Sequence, residues 1–231
     1  MFDNFGERLY RIFIEKEGYK MVISGLGMTM LLAFFALLIG ISLGILLASI
    51  KVIKKKNVFI SIIHGIVNAY IAFFRGTPIV VQLLLIYFAV LSPLGVNAIV
   101  VAILVFGMNS AAYVAEIIRS GILAVDNGQM EAGRSLGLSQ GTTMRKIILP
   151  QAIKNILPAL GNELIVLIKE TSVASFITVE DLTKKLSILS SNTYDIMAPY
   201  VVLAAIYLVI VLILTFLVNR FERWMRRSDQ R

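Results

Sequence analysis

The chain contains no cysteine and a single histidine, His64. Disulfides, thiolate metal centres and thiol nucleophiles are therefore excluded, as is a zinc site built from clustered histidines. Charge is scarce as well. Asp, Glu, Lys and Arg make up 16% of the 231 residues, where a soluble domain carries about 25%. Over long stretches there is none. No charge falls between Lys20 and Lys51, between Arg75 and Glu116, or between Asp195 and Arg220, gaps of 30, 40 and 24 residues. About 20 apolar residues span a bilayer as a helix. With 58% hydrophobic residues and a mean hydropathy of +0.85, the gaps describe an all-α polytopic membrane protein. The alternating segments of an outer-membrane barrel are missing, and so are internal repeats and low-complexity stretches. In a soluble protein a net charge of +8 would suggest nucleic acid. Here it points to cytoplasmic loops, which are rich in Lys and Arg, and no nucleic-acid partner is expected.

Five transmembrane helices are expected, at about 21–50, 58–91, 97–122, 154–174 and 198–219. Residues 1–20 form an extracytoplasmic segment, 21–219 the membrane domain, and 220–231 a basic cytoplasmic tail. The second run is too long for one straight span. Pro78 breaks it and biases Thr77 away from helix. The 123–152 loop is amphipathic and too polar to span. The run at 21–50 is too long for a cleavable signal peptide, and the 20 residues before it balance four basic against four acidic groups. Lys51, Lys54, Lys55 and Lys56, the 123–155 loop and the tail from Arg220 all carry an excess of basic residues, whereas 1–20 and 178–197 do not. Five spans place these groups on opposite faces, with the N-terminus outside and the C-terminus in the cytoplasm. Ala36, Gly40, Gly44 and Ala48 recur every four residues, a stripe that permits close helix approach, either within the chain or across a dimer seam.

Ionisable groups at membrane depth mark a path or site by default. In the third span Asn109, Tyr113, Glu116 and Ser120 share one helical face, and Arg119 lies three residues from Glu116. His64, Asn68, Arg75 and Gln82 form a stripe on the second span, and Asn162 and Glu163 lie on the fourth. Lipid cannot solvate such groups, so the stripes are expected to converge on a wet cavity. Glu116 suits a substrate ammonium, and Arg119 or Arg75 a carboxylate held bidentately. The candidate substrate-binding residues are Tyr113, Glu116, Arg119, Arg75, Asn109 and Asn162. For Glu116 with Arg119 the alternative is an ion pair that locks helices together. For Arg75 it is a cap on the helix break. His64 and Asn68 fit helix–helix hydrogen bonds better.

Gly128 to Ser135 imitates a phosphate loop, G-x-x-x-x-G-K-[ST], with Arg134 in place of Lys. A phosphate loop needs a preceding strand, and no β-rich run stands there. The same stretch satisfies another pattern. Glu131-Ala132-Gly133, three residues, Gly137, nine residues, then Ile147, one residue and Leu149-Pro150 resembles E-A-A-x3-G-x9-I-x-L-P, the cytoplasmic loop signature of ABC importer permeases. Gly133 stands where that pattern has Ala. Phe74 to Pro78, Leu149 to Ala152, Leu157 to Glu163 and Leu167 to Ser172 resemble the polar amino-acid branch, similar to histidine and glutamine permeases.

The resemblance implies a type I ABC importer permease fold with a five-helix core and a cytoplasmic coupling helix. It implies residence in the bacterial cytoplasmic (inner) membrane, a second permease subunit, identical or not, and an extracytoplasmic amino-acid-binding protein. Two ATP-binding cassette subunits would hold the ATP and Mg, with no cofactor or metal bound by this chain, which would not itself be an enzyme. The substrate would be a polar or charged amino acid. Glu131, Ala132, Gly133, Gly137, Ile147, Leu149 and Pro150 would dock on the ATPase. Glu131 is expected near the start of a short helix, Gly137 at its left-handed end, and a helix stop before Pro150. A stand-alone secondary transporter, of the kind that often shows broken helices and inverted repeats, is the alternative.

The orientation has a direct test. A cysteine placed at position 129 resists a membrane-impermeant thiol reagent added to intact cells, and one placed in 178–197 reacts. The opposite pattern would invert the topology.

Overall fold

The computed structural model describes residues 4–52 and 57–226. Lys54, Lys55, Lys56, Arg227 and Arg231, part of the expected basic clusters, lie outside the described residues. The described chain is helical throughout. Four helices are long and apolar enough to cross a membrane: α2 (Gly18–Val52), α3 (Val58–Gly76), α5 (Ala98–Leu123) and most of α10 (Met197–Arg226). The last residues of the fourth expected span, about 154–174, lie in the 3-10 stretch Thr171–Ile177, and the rest of it lies in α8 (Leu149–Glu170). This α8 is a continuous 22-residue helix whose apolarity is diluted by Lys154, Glu163, Lys169 and Glu170.

The centre of the fold is α5, with 61% of its most apolar window buried, against 6% for α10 at the periphery. At about 1.5 Å per residue, the 35 residues of α2 reach about 52 Å, well beyond the roughly 30 Å hydrocarbon layer. Its small-residue stripe faces α5 inside this chain: Ala36, Gly40, Gly44 and Ala48 are all buried. A β-carbon on Gly40 would sit 2.7 Å from Ser110 Oγ, and one on Gly44 would sit 2.5 Å from Val114 Cγ1. The stripe therefore serves packing between α2 and α5, where the backbones meet without side chains between them.

The second expected span is two pieces. Asn57 caps α3 by accepting from Ile60 N–H at 2.9 Å. The helix ends at Thr77, which is extended (φ −122°, ψ 147°) as Pro78 requires. The chain resumes as α4 (Ile79–Leu84), a π-helical stretch Leu85–Leu91 and a 3-10 turn Ser92–Leu94, closed by Gly95 at φ +71°.

The loop between α5 and α8 is helical. Asp126 caps α6 (Asn127–Ser135) through Gly128 N–H at 2.7 Å. The α6 terminus is a Schellman turn. Leu138 N–H reaches Gly133 O at 3.1 Å, Gly137 N–H reaches Arg134 O at 3.0 Å, and Gly137 takes φ +83°. Two expectations need correcting. Glu131 lies in the middle of α6 rather than near its start, because Asp126 sets the cap one turn earlier. No helix stops before Pro150. After α7 (Gln140–Thr143), the π-helical stretch Met144–Ile148 runs straight into α8, with Pro150 in the first turn of α8. The phosphate-loop look-alike 128–135 is helix, with no cradle.

At the opposite end, α1 (Phe5–Tyr10) and the π-helical stretch Arg11–Glu15 lie against α9 (Leu182–Thr193). Phe5, Leu9, Ile12 and Phe13 pack with Leu182, Leu186 and Leu189. Arg8 donates to both carboxylate oxygens of Asp195, at 2.6 and 2.5 Å, and holds the Asp195 carboxyl below its ordinary range. Residues 178–197 are therefore not a plain polar loop. Asp181 caps α9 by accepting from Thr183 and Lys184 N–H, and burial raises its carboxyl to about 6.

Candidate functional site

Polar side chains collect at three levels along α5. At the first, they repair the broken helix. Pro78 has no N–H, so the end of α3 leaves Phe74 O without its helical donor in a stretch where lipid offers none. Gln82 Nε2 donates to Phe74 O (2.9 Å), Thr77 O (3.0 Å) and Thr77 Oγ1 (2.8 Å). Asn109 Nδ2 donates to Phe74 O and to Gln82 Oε1, both at 3.0 Å. Both residues are buried, so Asn109, expected among the substrate ligands, is engaged in this knot through its amide hydrogens. One turn further, Tyr70 O–H donates to Met108 O at 2.6 Å.

Beside the knot, the guanidinium of Arg75 lies over the ring of Tyr113, 5.2 Å from its centroid. Arg75 is exposed and Tyr113 half-buried. An exposed cation at this depth is expensive against lipid, so this face suits a wet cavity or a second subunit. The cation–π contact joins the α3 stripe to the α5 stripe.

About 100° around α5 from Asn109, Ser110 O–H donates to Glu163 Oε1 at 2.7 Å, and both side chains are buried. Gly40 makes this possible, since a β-carbon there would overlap the Ser110 hydroxyl. Asn162, next to Glu163 on α8, is exposed. Ser110, Gln82 and Glu163 are the residues that sequence reasoning missed as site members, although Glu163 was noted beside Asn162 on the fourth span. Gln82 had a signal, its place in the α3 stripe. Ser110 had none, since serines are common in membrane helices.

About 9 Å further along α5, at 1.5 Å per residue, Glu116 is held by two cations. Lys51 Nζ lies 2.5 Å from Oε1 and Arg119 Nη2 lies 2.8 Å from Oε2. Each carboxylate oxygen already has a positive partner, so the arrangement is the helix-locking alternative, widened by Lys51 from the end of α2. The His64 hydrogen bond expected between helices is not found at Nε2, which is buried without a partner among the described residues.

Near this end lies the segment carrying the loop signature. Glu131 and Ala132 are exposed on α6 and Leu136 is 81% exposed, while Gly133 is buried. A β-carbon on Gly133 would overlap Thr143 Cγ2. The departure from Ala at that position has a cause: Thr143 occupies the space. Ile147 and Leu149 are half-buried and Pro150 is exposed, so only part of the signature is presented outward.

Residues 40–227 match the family described as binding-protein-dependent transport system inner membrane component. The arginine transport system permease protein ArtQ of Bacillus subtilis is 40% identical over 210 residues, covering 90% of this chain and 94% of its own. A putative glutamine transport system permease protein GlnP of Rickettsia bellii is 39% identical over 204 residues, with coverages of 87% and 91%. A crystal structure of an amino acid ABC transporter with histidines superposes with a TM-score of 0.84 at 46% identity, covering 91% of this chain and 97% of that one.

Gln82→Leu tests the polar knot. It removes the donor that serves Thr77 O and the Thr77 hydroxyl, a loss of about 1–3 kcal/mol. The detergent-solubilised variant is expected to unfold several degrees lower than the parent. An unchanged melting temperature would mean that the break is satisfied without Gln82.

Proposed function

Because this chain belongs to the family of binding-protein-dependent transport system inner membrane components, we propose that it is the permease subunit of an ATP-driven importer of polar or charged amino acids. The carrying observation is the presented helix α6, capped by Asp126 and ended by the Gly137 turn, with Glu131 and Leu136 exposed. It is a rigid, outward-facing element of the kind a separate motor subunit requires. Family membership favours this over a stand-alone secondary transporter.

In the proposed assembly two permease subunits face each other, each docked through 131–150 on an ATPase that binds the ATP and Mg. The N-terminus and α9 lie outside, where an amino-acid-binding protein delivers cargo, and the Lys51 end and α6 lie in the cytoplasm. ATP closes the ATPases, displaces α6 and turns the spans from inward- to outward-facing. Substrate shifts that equilibrium only if it binds the two states differently.

For the path we assign Glu163, Arg75, Tyr113 and Asn162, with Asn109 in support. Glu163 is a buried carboxylate whose hydrogen-bond partner is a neutral hydroxyl, and it therefore suits a cationic group of the cargo. Glu116 and Arg119 are assigned with Lys51 to joining α2 and α5 beside the coupling segment.

Two variants test the two halves of the proposal. Gly137→Asp strains a position at φ +83° and adds a negative charge at the docking face. ATPase co-purification is expected to fall sharply while membrane insertion is retained. A variant that still couples normally would remove this segment from transmission. Glu163→Gln keeps volume and removes charge. Uptake of arginine at limiting concentration by the reconstituted complex is expected to fall about tenfold to a hundredfold, the worth of a charged hydrogen bond. Unchanged uptake would return Glu163 to a packing role.

A further inference from the structure

Two cavities lie side by side where α2 and α5 end. The first, about 350 Å³, lies between the last turns of both helices and the coupling segment, and is lined by Lys51, Arg119, Ile122, Val125, Met144 and Ile148 among others. The second, about 380 Å³, shares Val52, Ile122 and Met144 with it and extends along α2 past Ser49 and Ala48 to Ile45. The second is apolar apart from Ser49, whose hydroxyl is turned back onto Ile45 O at 2.7 Å. A cavity with two cations in its lining thus lies beside an apolar groove that runs along a membrane-crossing helix, with Val52, Ile122 and Met144 between them.

The charge count selects the occupant. Lys51 and Arg119 share one carboxylate, Glu116, which leaves one positive charge in excess. Side-chain exposures of 18% for Lys51 and 39% for Arg119 leave both cations partly accessible. Asp126 also lines this cavity; it is exposed and bonded to Gly128 N–H, where water screens it. Lys51 stands in the final turn of α2 and Arg119 four residues before the end of α5, the level at which headgroups meet the hydrocarbon. Three more lysines follow in the sequence at 54–56.

We infer that these adjacent cavities hold one anionic phospholipid of the cytoplasmic leaflet, its phosphodiester on Lys51 and Arg119 and an acyl chain in the groove along α2. One phosphodiester matches the one excess charge, and basic pockets between helices on the cytoplasmic side bind such headgroups. The lipid would bridge α2, α5 and the Met144–Ile148 stretch, beside the segment that couples to the ATPase. The leaflet rests on the orientation proposed above, but binding itself does not, so the two fail separately.

The test uses the complete purified transporter in nanodiscs of phosphatidylethanolamine and phosphatidylglycerol, with retained lipid counted by native mass spectrometry. Phosphatidylglycerol is expected to be retained at one per chain. Retention should fall roughly fivefold or more in K51Q/E116Q/R119Q, which removes the excess charge, and should rise in E116Q, which increases it. Ile45→Trp fills the groove without touching the charges and is expected to lower retention too, which keeps the test open if the triple variant does not fold. Preferential retention of phosphatidylethanolamine, or equal phosphatidylglycerol retention in all variants, overturns the proposal. Displacement by millimolar inorganic phosphate or glycerol phosphate assigns the chamber to a free phosphate and overturns the lipid as occupant.

Discussion

A helix broken inside a membrane must find hydrogen-bond partners for the carbonyls it frees, because the lipid offers none. In this chain the break at Thr77-Pro78 is closed by one amide side chain, Gln82, supported by Asn109. Much of the interior geometry follows. Asn109 fixes the rotation of α5 relative to α3, and that rotation places Tyr113, one turn on, beneath Arg75. With the Asn109 face of α5 committed to α3, the neighbouring face presents Ser110 to α8. A polar repair at one level thus sets which residues α5 offers at the others.

The complementary constraint is steric. α2 and α5 approach where α2 has Gly40 and Gly44 and α5 has Gly107. A β-carbon on Gly107 would sit 2.7 Å from Ile39 Cβ. Bare backbone at these positions lets Ser110 and Glu163 share a buried space between three helices, where a larger residue at 40 would push the hydroxyl off the carboxylate. At the end of the same pair the contact becomes electrostatic, with Lys51 and Arg119 on the two sides of Glu116. The α2–α5 pair is therefore fastened by shape through its middle and by charge at its end.

The long uncharged gaps made the spans legible, and Pro78 made the break legible, since lipid thickness and proline sterics act locally along the chain. The left-handed turn at Gly137 was legible for the same reason. Partnerships were less so. Glu116 and Lys51 are 65 residues apart, and Lys51 reads in sequence as one more lysine of a basic loop. Gln82 and Asn109 fell in recognisable stripes, but a stripe states a face and not what stands opposite it. Glu131 and Pro150 were misplaced within their helices because a cap at Asp126 and the merging of Met144–Ile148 into α8 depend on how the loop packs. Gly133 shows the reverse case: a departure from a pattern became intelligible once Thr143 was found in the space the missing methyl would need.

From Met144 the chain runs without interruption through a π-helical stretch into α8 and on to Glu163. Between the loop and the buried carboxylate there is no linker to take up slack. Pro150 and Pro158, both within this run, each leave out one rung of the backbone ladder. In the proposed cycle, a displacement at Met144 would reach Glu163 as a push on a bar rather than through refolding of an intervening segment. Helix formation and melting would then set no clock for the stroke, whose tempo would belong to whatever drives the loop.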